Sequence, residues 1–322
     1  KMMVALLLYA YCTGIRSSRK IEQACQENVA FKVITGNKVP DHTTISRFRQ
    51  EFQEEFAGLF TEVLWLCGRA GLVKVGTVVV DGTKMAGNAS LSANRTYHHL
   101  EEEVKRMLKE AEAADAAEEA QVGEEVPEEL VDRNKRLARL KRAKEELERM
   151  AAEEAAEKER EARGERERSG RKGRGRKPPD PRPDPGAKVN LTDPESRIMK
   201  ARQGYVQGYN AQLVVTKDQI IVAVEVTQDQ NDVRQLYPML KRAREELEGA
   251  GIGKRPKVAV ADAGYFSEGN IRGADEDGPE LLVAPASDWR LARKLAEEGP
   301  PRGRIPQGLS AKELMERKLL TK

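Results

Sequence analysis

Two aspartates stand directly after short runs of β-branched and apolar residues, and these residue types in this pattern could do chemistry. Asp81 follows Thr77–Val80, and Asp262 follows Val258–Ala261. An apolar run that ends in Asp-Gly or Asp-Ala-Gly is typical of a buried strand whose carboxylate emerges at the strand end. Two such carboxylates on neighbouring strands can hold a divalent cation, Mg²⁺ or Mn²⁺, which supports phosphoryl transfer.

The alternative is that each Asp is a turn residue, since Asp-Gly is a common turn signal. The pair weakens this alternative, because a carboxylate buried at a strand end is costly unless it is paired or binds metal. Glu225, Asp229 and Asp232 could supply a third carboxylate. Asp232 is more simply explained as a helix cap, and Glu225 alternates with apolar neighbours in a way that indicates a solvent-facing side chain.

The first 72 residues have a helical pattern. Asp41 or Thr43 can cap a helix in which Ile45, Phe48 and Phe52 fall on one face. The apolar run 2–11 is shorter than the roughly 20 residues of a membrane span, so we expect a buried helix and no membrane partner. This region therefore predicts a small helical domain of three or four helices.

A strongly charged segment follows the first Asp. Residues 99–168 are rich in Glu, Ala, Lys and Arg and carry only a thin stripe of apolar residues, which predicts a helical hairpin, a coiled coil or partial disorder. Residues 166–188 are basic and rich in proline, which predicts an extended or disordered linker.

Regular structure is predicted again beyond residue 190. The pattern predicts a hairpin (208–216 and 220–227), a helix (233–247), the strand of Asp262, a strand (280–284) and a short helix (310–320). This order predicts a mixed α/β layer in which the helical crossover places the strand of Asp262 beside the strand of Asp81.

Bulk composition limits the class of protein. The chain has 322 residues, of which 34% are charged and 5% aromatic, and its net charge of +3 hides acidic and basic blocks. Such blocks suit a local surface that binds a polyanion. The three cysteines, Cys12, Cys25 and Cys67, show no metal or disulfide spacing, so a reducing cytoplasm is the expected compartment.

Basic residues near the helical pattern could neutralise DNA phosphates, and Lys84 could contact a phosphate near Asp81. The alternative for each is a solvated surface cation. The candidate DNA contacts of the helical region are Arg16, Arg19, Lys20, Arg47 and Arg49.

Several segments together resemble a known family. They are VVVDGTKMAGNAS (78–90), LTDPESRIMK (191–200), GYVQGYNAQLVV (204–215), VEVTQDQNDVRQLYPML (224–240), VADAGYFS (260–267) and, near the start, DHTTISRFRQEF (41–52). In this order they resemble bacterial insertion-sequence transposases of the DDE type, whose catalytic domain has an RNase H-like fold. The resemblance covers most of the chain outside the charged insertion.

The resemblance implies an α+β protein in which a helical N-terminal domain precedes an RNase H-like mixed sheet interrupted by the charged insertion. The implied divisions are 1–72 (helical, a possible DNA-binding domain), 73–98 (first part of the catalytic domain), 99–189 (insertion and linker) and 190–322 (remainder of the catalytic domain). In such enzymes Asp, Asp and Glu hold two divalent ions, usually Mg²⁺. By position Asp81 matches the first Asp and Asp262 the second.

The resemblance implies that a homo-oligomer assembled on DNA cuts the DNA at transposon ends and joins it to target DNA. The chain departs from the family pattern at the catalytic Glu. In the family, this Glu lies on a helix after the last strands. Glu313 and Glu316 do not fit its motif, so we expect a chain truncated before the catalytic Glu. A non-catalytic DNA-binding protein derived from a transposase is one alternative. A coiled-coil interaction protein built on residues 99–168 is the other.

Overall fold

The computed structural model describes residues 1–118, 128–169, 178–201, 204–273, 278–285, 293, 295–297, 299–301, 303–306 and 308–321. The chain divides into two compact units. The first comprises residues 1–73 and 245–254, and the second comprises residues 74–244 and 255–322.

The first unit contains five helices from the start of the chain, where the sequence predicts three or four. They are α1 (Met2–Cys12), α2 (Ser18–Glu27), α3 (Val29–Thr35), α4 (His42–Glu51) and α5 (Gln53–Arg69). Asp41 caps α4, since its side chain accepts a hydrogen bond from the amide of Thr43. Leu6 and Leu7 of α1 are fully buried, so the apolar run near the start forms a core helix.

The second unit is built around one mixed sheet. Its strands are β1 (Thr77–Ala86), β4 (Arg197–Ala201), β5 (Gly204–Thr216), β6 (Ile221–Thr227), β7 (Val258–Ala261) and β8 (Glu280–Val283). Strands β2 (Asn94–Thr96) and β3 (Lys188–Asn190) form a separate antiparallel pair.

The topology of the main sheet is that of an RNase H-like domain, which confirms the predicted α+β fold. β1 is central, with antiparallel β5 on one side and parallel β7 on the other. β6 continues the antiparallel side, β8 continues the parallel side, and β4 pairs with the beginning of β5. The predicted hairpin and the predicted neighbourhood of the two Asp strands are both present.

The remaining helices are α6 (Tyr97–Glu118), α7 (Glu128–Ser169), α8 (Leu236–Gly249), α9 (Glu268–Arg272) and α10 (Ala311–Thr321), and all but the end of α8 belong to the second unit. α6 and α7 pack through one apolar cluster that includes Leu100, Val104, Leu140 and Leu147. Val189 of β3 belongs to the same cluster and Leu191 packs against it, so the helices of the charged insertion contact the chain that leads into the main sheet. α7 extends to Ser169, which corrects the prediction that the linker begins at residue 166. The basic stretch 170–177 lies outside the described residues, and residues 178–187 have no helix or strand.

Candidate active site

Asp81 and Asp262 lie side by side at one edge of the parallel strand pair. The last paired residues of β1 and β7 are Val80 and Ala261, so the two aspartates are the next residues in the same register. Side chains alternate between the faces of a sheet, and both carboxylates therefore share a face. Both aspartates are exposed and line one cavity of about 570 Å³. The parallel pairing thus brings together two acids that are 181 positions apart in the chain, from residue 81 to residue 262.

The local sequence explains how Asp262 is presented. Val258–Ala261 forms β7, and the chain then turns through the 3₁₀ segment Ala263–Tyr265. Asp262 Oδ1 accepts a hydrogen bond from the amide of Gly264 at 2.9 Å, so this carboxylate caps the turn. One oxygen of the carboxylate is thus held by the backbone.

The prediction that Asp81 ends its strand is wrong. β1 continues to Ala86, because β5 is long enough to pair with it as far as the residue pair Ala86 and Gly208. The Asp-Gly pair therefore forms no turn, since β5 supplies hydrogen bonds along the second half of β1. Asp81 instead marks the point at which β7 stops and β1 goes on.

The two carboxylates have the donor atoms that a divalent cation needs. Asp81 Oδ1 accepts from the amide of Gly82 at 2.8 Å, as Asp262 Oδ1 does from Gly264. In the described part of the chain, the Oδ2 atom of neither residue has a hydrogen bond or ion pair. Carboxylate oxygens are preferred ligands of Mg²⁺. Exposed carboxylates that open on a shared cavity fit such an ion.

No other acidic residue that the structure describes lines this cavity. Its remaining wall is apolar and includes Leu319 and Leu320 of α10. Glu313 and Glu316 line a different cavity. Glu313 accepts hydrogen bonds from the amide and hydroxyl of Ser310, which makes it part of the N-terminal cap of α10.

Asp232 occupies a role that the sequence does not predict. α8 begins at Leu236, so the interpretation of Asp232 as the cap of a helix from residue 233 is wrong. A later start suits the chain because Pro238 then falls in the first turn, where its missing amide hydrogen costs nothing. The side chain of Asp232 is free to point at the sheet, where Oδ1 accepts from Lys84 at 3.1 Å and from Asn210 at 2.7 Å.

Gln212 gives Asp232 Oδ1 its third donor, at 2.8 Å. Asn210 and Gln212 are both fully buried on β5. Two polar residues at alternate positions of an otherwise apolar strand, in the run GYNAQLVV, are the sequence signal that could have indicated a buried polar network.

Lys84 is therefore engaged within the protein. Its side chain is 15% exposed and forms an ion pair with Asp232. It lies two residues from Gly82 on the strand, and so on the face opposite Asp81. The structure thus separates Lys84 from the cavity of the two aspartates, with which the sequence prediction had associated it.

Tyr265 connects the buried network to the turn of Asp262. Its side chain is fully buried, and its hydroxyl donates a hydrogen bond to Gln212 Oε1. Burial and the negative charges of Asp232, Asp81 and Asp262 raise the pKa of the Tyr265 hydroxyl well above its usual value. The tyrosine therefore remains a neutral hydrogen-bond donor.

The basic residues of the helical unit fall into two groups. Arg19 and Arg47 are exposed and line one cavity of about 430 Å³, beside the first residues of α2 and α4. Arg16 and Lys20 are exposed elsewhere on the same unit. Arg49 donates to the carbonyl of Arg16 at 3.0 Å and to the hydroxyl of Ser18, so its guanidinium joins α4 to the start of α2.

One further group in this unit has ligand-like side chains. Glu22, Asp41 and His42 place one ligand atom each within 4.8 Å of one another, the only such group in the part of the chain that is described. His42 Nδ1 lies 2.9 Å from Glu22 Oε2 and 3.4 Å from Asp41 Oδ2. Hydrogen bonds from Thr43 hold the pKa of Asp41 below its usual value. These groups satisfy one another at the start of α4.

Comparisons with known families agree with this fold. Residues 1–51 match a family described as a transposase domain (DUF772), and residues 179–321 match a family described as a transposase DDE domain. Asp262 lies within the second match, whereas Asp81 lies outside both. Neither the curated proteins nor the solved structures yielded a significant match.

An RNase H-like mixed sheet that matches a transposase DDE domain defines the class of DDE transposases. The chain belongs to the insertion-sequence transposases of the DDE type, as the resemblance predicted. The family implies the use of a divalent metal ion. No described helix is both long and apolar enough to cross a membrane.

Proposed function

We propose that this transposase cuts DNA and transfers strands by phosphoryl transfer, with Asp81 and Asp262 as ligands of divalent metal. The observation that carries the proposal is the register of β1 and β7, which sets the two aspartates side by side on one face. Their shared cavity is open, and its other described walls are apolar. Apart from the two aspartates, the described wall therefore carries no negative charge that would repel a phosphate from a cation held between them.

Each residue at the site has a distinct task in this proposal. Asp81 and Asp262 hold the ion through oxygens that the backbone amides of Gly82 and Gly264 leave available. A divalent ion bound there would activate the attacking hydroxyl or water and stabilise charge on the leaving oxygen. Mg²⁺ is the ion that we expect in the cell, and Mn²⁺ is its laboratory substitute.

DNA is the proposed partner, and the helical unit is its proposed docking surface. Arg19 and Arg47 offer two exposed cations at one cavity, beside the positive ends of the α2 and α4 dipoles. Arg49 supports this surface from within, since its guanidinium holds α4 against the start of α2. Arg16 and Lys20 extend the charge of the unit. We propose further that the chain acts as a homo-oligomer on DNA, in the cytoplasm.

Nicking of supercoiled plasmid in Mn²⁺ tests the catalytic proposal. Asp81→Asn and Asp262→Asn preserve side-chain volume and remove the charge that holds the metal, so we expect each to lower the nicking rate by at least about 100-fold. The matched control is Asp218→Asn, which changes an acid in the β5–β6 turn that pairs with Lys74. Nicking by either site variant at the parental rate would contradict the proposal. A parent that binds plasmid and never nicks it would favour the non-catalytic DNA-binding alternative.

Salt-dependent binding to duplex DNA tests the docking surface. Arg19→Gln combined with Arg47→Gln removes two phosphate contacts, so we expect the slope of log K against log salt to fall in magnitude by about two. Lys38→Gln, at an exposed position outside the cavity, should leave both affinity and slope unchanged. An unchanged slope in the double variant would exclude these two arginines as phosphate contacts.

A further inference from the structure

The Asp232 carboxylate joins two strands of the sheet through a single oxygen. Oδ1 accepts from Lys84 on β1 and from both Asn210 and Gln212 on β5. The Asp232 side chain is 23% exposed. Hydrogen bonds to a shielded, charged acceptor are among the stronger ones in proteins.

This carboxylate also fixes the orientation of an amide. A carboxylate only accepts hydrogen bonds, so Gln212 must turn its Nε2 toward Asp232. The Gln212 Oε1 atom then points the other way and accepts the hydroxyl hydrogen of Tyr265. Without the negative oxygen of Asp232, either orientation of the amide would be open to Gln212.

Tyr265 ends the turn that presents Asp262. Its hydroxyl is held by Gln212, and its backbone carbonyl accepts from Asn270 Nδ2 at 2.8 Å. The turn is thus held at both the side chain and the backbone of Tyr265. A methyl group built on Gly264 would lie 3.0 Å from Asp262 Oδ1 and 3.4 Å from Asp232 Oδ2, so the turn runs between the two carboxylates.

We propose that Asp232 is a positioning residue that acts through Gln212 and Tyr265 to hold the turn of Asp262 beside Asp81. Asp232 does not line the cavity of the two aspartates, because it contacts the face of β1 that carries Gly82 and Lys84. It therefore orients a metal ligand from the opposite side of the sheet. The consequence for metal affinity rests on the function proposed above, whereas the consequence for the turn does not.

Hydrogen exchange of the backbone amides of residues 264–266 tests the effect on the turn. These amides donate to the carboxylate or carbonyl of Asp262 and to the carbonyl of Ala263. We expect Asp232→Ala and Tyr265→Phe each to speed their exchange by about tenfold, the equivalent of one lost hydrogen bond. Asp232→Asn can still present an oxygen to Gln212 and should have a smaller effect.

The control for this experiment is Asp218→Asn, which should leave exchange in the turn unchanged. Amides of β1 paired with β5 supply an internal reference for global unfolding. If Tyr265→Phe and Asp232→Ala leave the exchange of residues 264–266 at the parental rate, the proposal is wrong. That result would stand whether or not the chain binds metal.

A double-mutant cycle on Mn²⁺ affinity then separates positioning from direct ligation. Because Asp232 and Tyr265 act along one path, the double variant should bind Mn²⁺ no more weakly than the worse single variant. If the loss of Mn²⁺ affinity in the double variant equals the product of the losses in the two single variants, Asp232 acts independently of Tyr265. That result would contradict the proposal. Loss of Mn²⁺ binding in Asp81→Asn, with unchanged binding in Asp232→Ala, would overturn this inference and leave the proposed function intact.

Discussion

Gly82 lies directly against the carboxylate of Asp232. A methyl group built on Gly82 would come within 2.8 Å of Asp232 Oδ1 and within 2.5 Å of Gln212 Nε2. Glycine is therefore required here because the side chains of Asp232 and Gln212 approach so closely. Its neighbour Asp81 thus lies on a strand whose opposite face contacts these two residues. The Asp-Gly pair has a structural reason other than a turn.

Gly82→Ala should destabilise the second unit by about 1–3 kcal/mol, since the added methyl group forces Gln212 and Asp232 away from β1. Chemical denaturation followed by circular dichroism measures this loss. Gly76→Ala is the matched control, because a methyl group there meets no atom within 4 Å. Equal stability of the two variants would show that the contact at Gly82 is easily relaxed.

Gly208→Ala should be more damaging than Gly82→Ala. The added methyl group would overlap the backbone carbonyl of Met85 on β1, and a backbone atom cannot move aside as a side-chain end can. We expect displacement of the β1–β5 pairing and a loss of soluble, folded protein. The comparison of melting temperatures for the Gly208, Gly82 and Gly76 variants gives the test, and any other order would contradict the packing described here.

An ion pair that is largely shielded from solvent connects α7, the long helix of the insertion, to β4 of the sheet. Glu146 of α7 accepts from Arg197 of β4 at 3.0 Å, with side-chain exposures of 11% and 9%. Removal of one partner leaves a shielded charge uncompensated, so Glu146→Ala should cost about 3 kcal/mol of unfolding free energy. Glu153→Ala removes an exposed partner of Arg149 and should cost less than about 0.5 kcal/mol.

The same pair predicts a dependence of stability on pH. Burial tends to raise the pKa of Glu146, but hydrogen bonds from Arg149 and Arg197 outweigh it and lower the pKa below its usual 4.5. A lowered pKa in the folded state contributes stability above about pH 4.5, which is lost as pH falls through the folded value. The difference in unfolding free energy between the parent and Glu146→Gln should therefore shrink below pH 4.5. A difference that stays constant from pH 7 to pH 3 would contradict this assignment.

Much of the sheet could be predicted because its strands carry a strong local signal. Val78 and Val80 alternate with less buried neighbours, and the hairpin of β5 and β6 has apolar runs around a short turn. The bounds of β1 were harder to predict, since the partner that extends it to Ala86 is β5, more than 100 residues later. Non-local pairing of this kind leaves no trace in the local pattern.

The neighbouring placement of the two aspartates could be predicted, whereas the contacts of Asp232 with Asn210 and Gln212 could not. Asp81 and Asp262 each follow a recognisable apolar run, so the sequence predicts that their two strands are neighbours, as β1 and β7 are. The role of Asp232 depends on Asn210 and Gln212, which face it only after β5 has paired with β1. A capping position and a sheet-facing position look alike in sequence, and the fold decides between them.

Titration of Mn²⁺ followed by calorimetry tests the central claim most directly. The parent chain and Asp218→Asn should bind Mn²⁺ with equal affinity, while Asp81→Asn and Asp262→Asn should each lose that binding, because both carboxylates belong to one site. Circular dichroism of every variant establishes that the fold is retained. A parent that binds no Mn²⁺, or site variants that bind it as the parent does, would contradict the assignment of these aspartates as metal ligands.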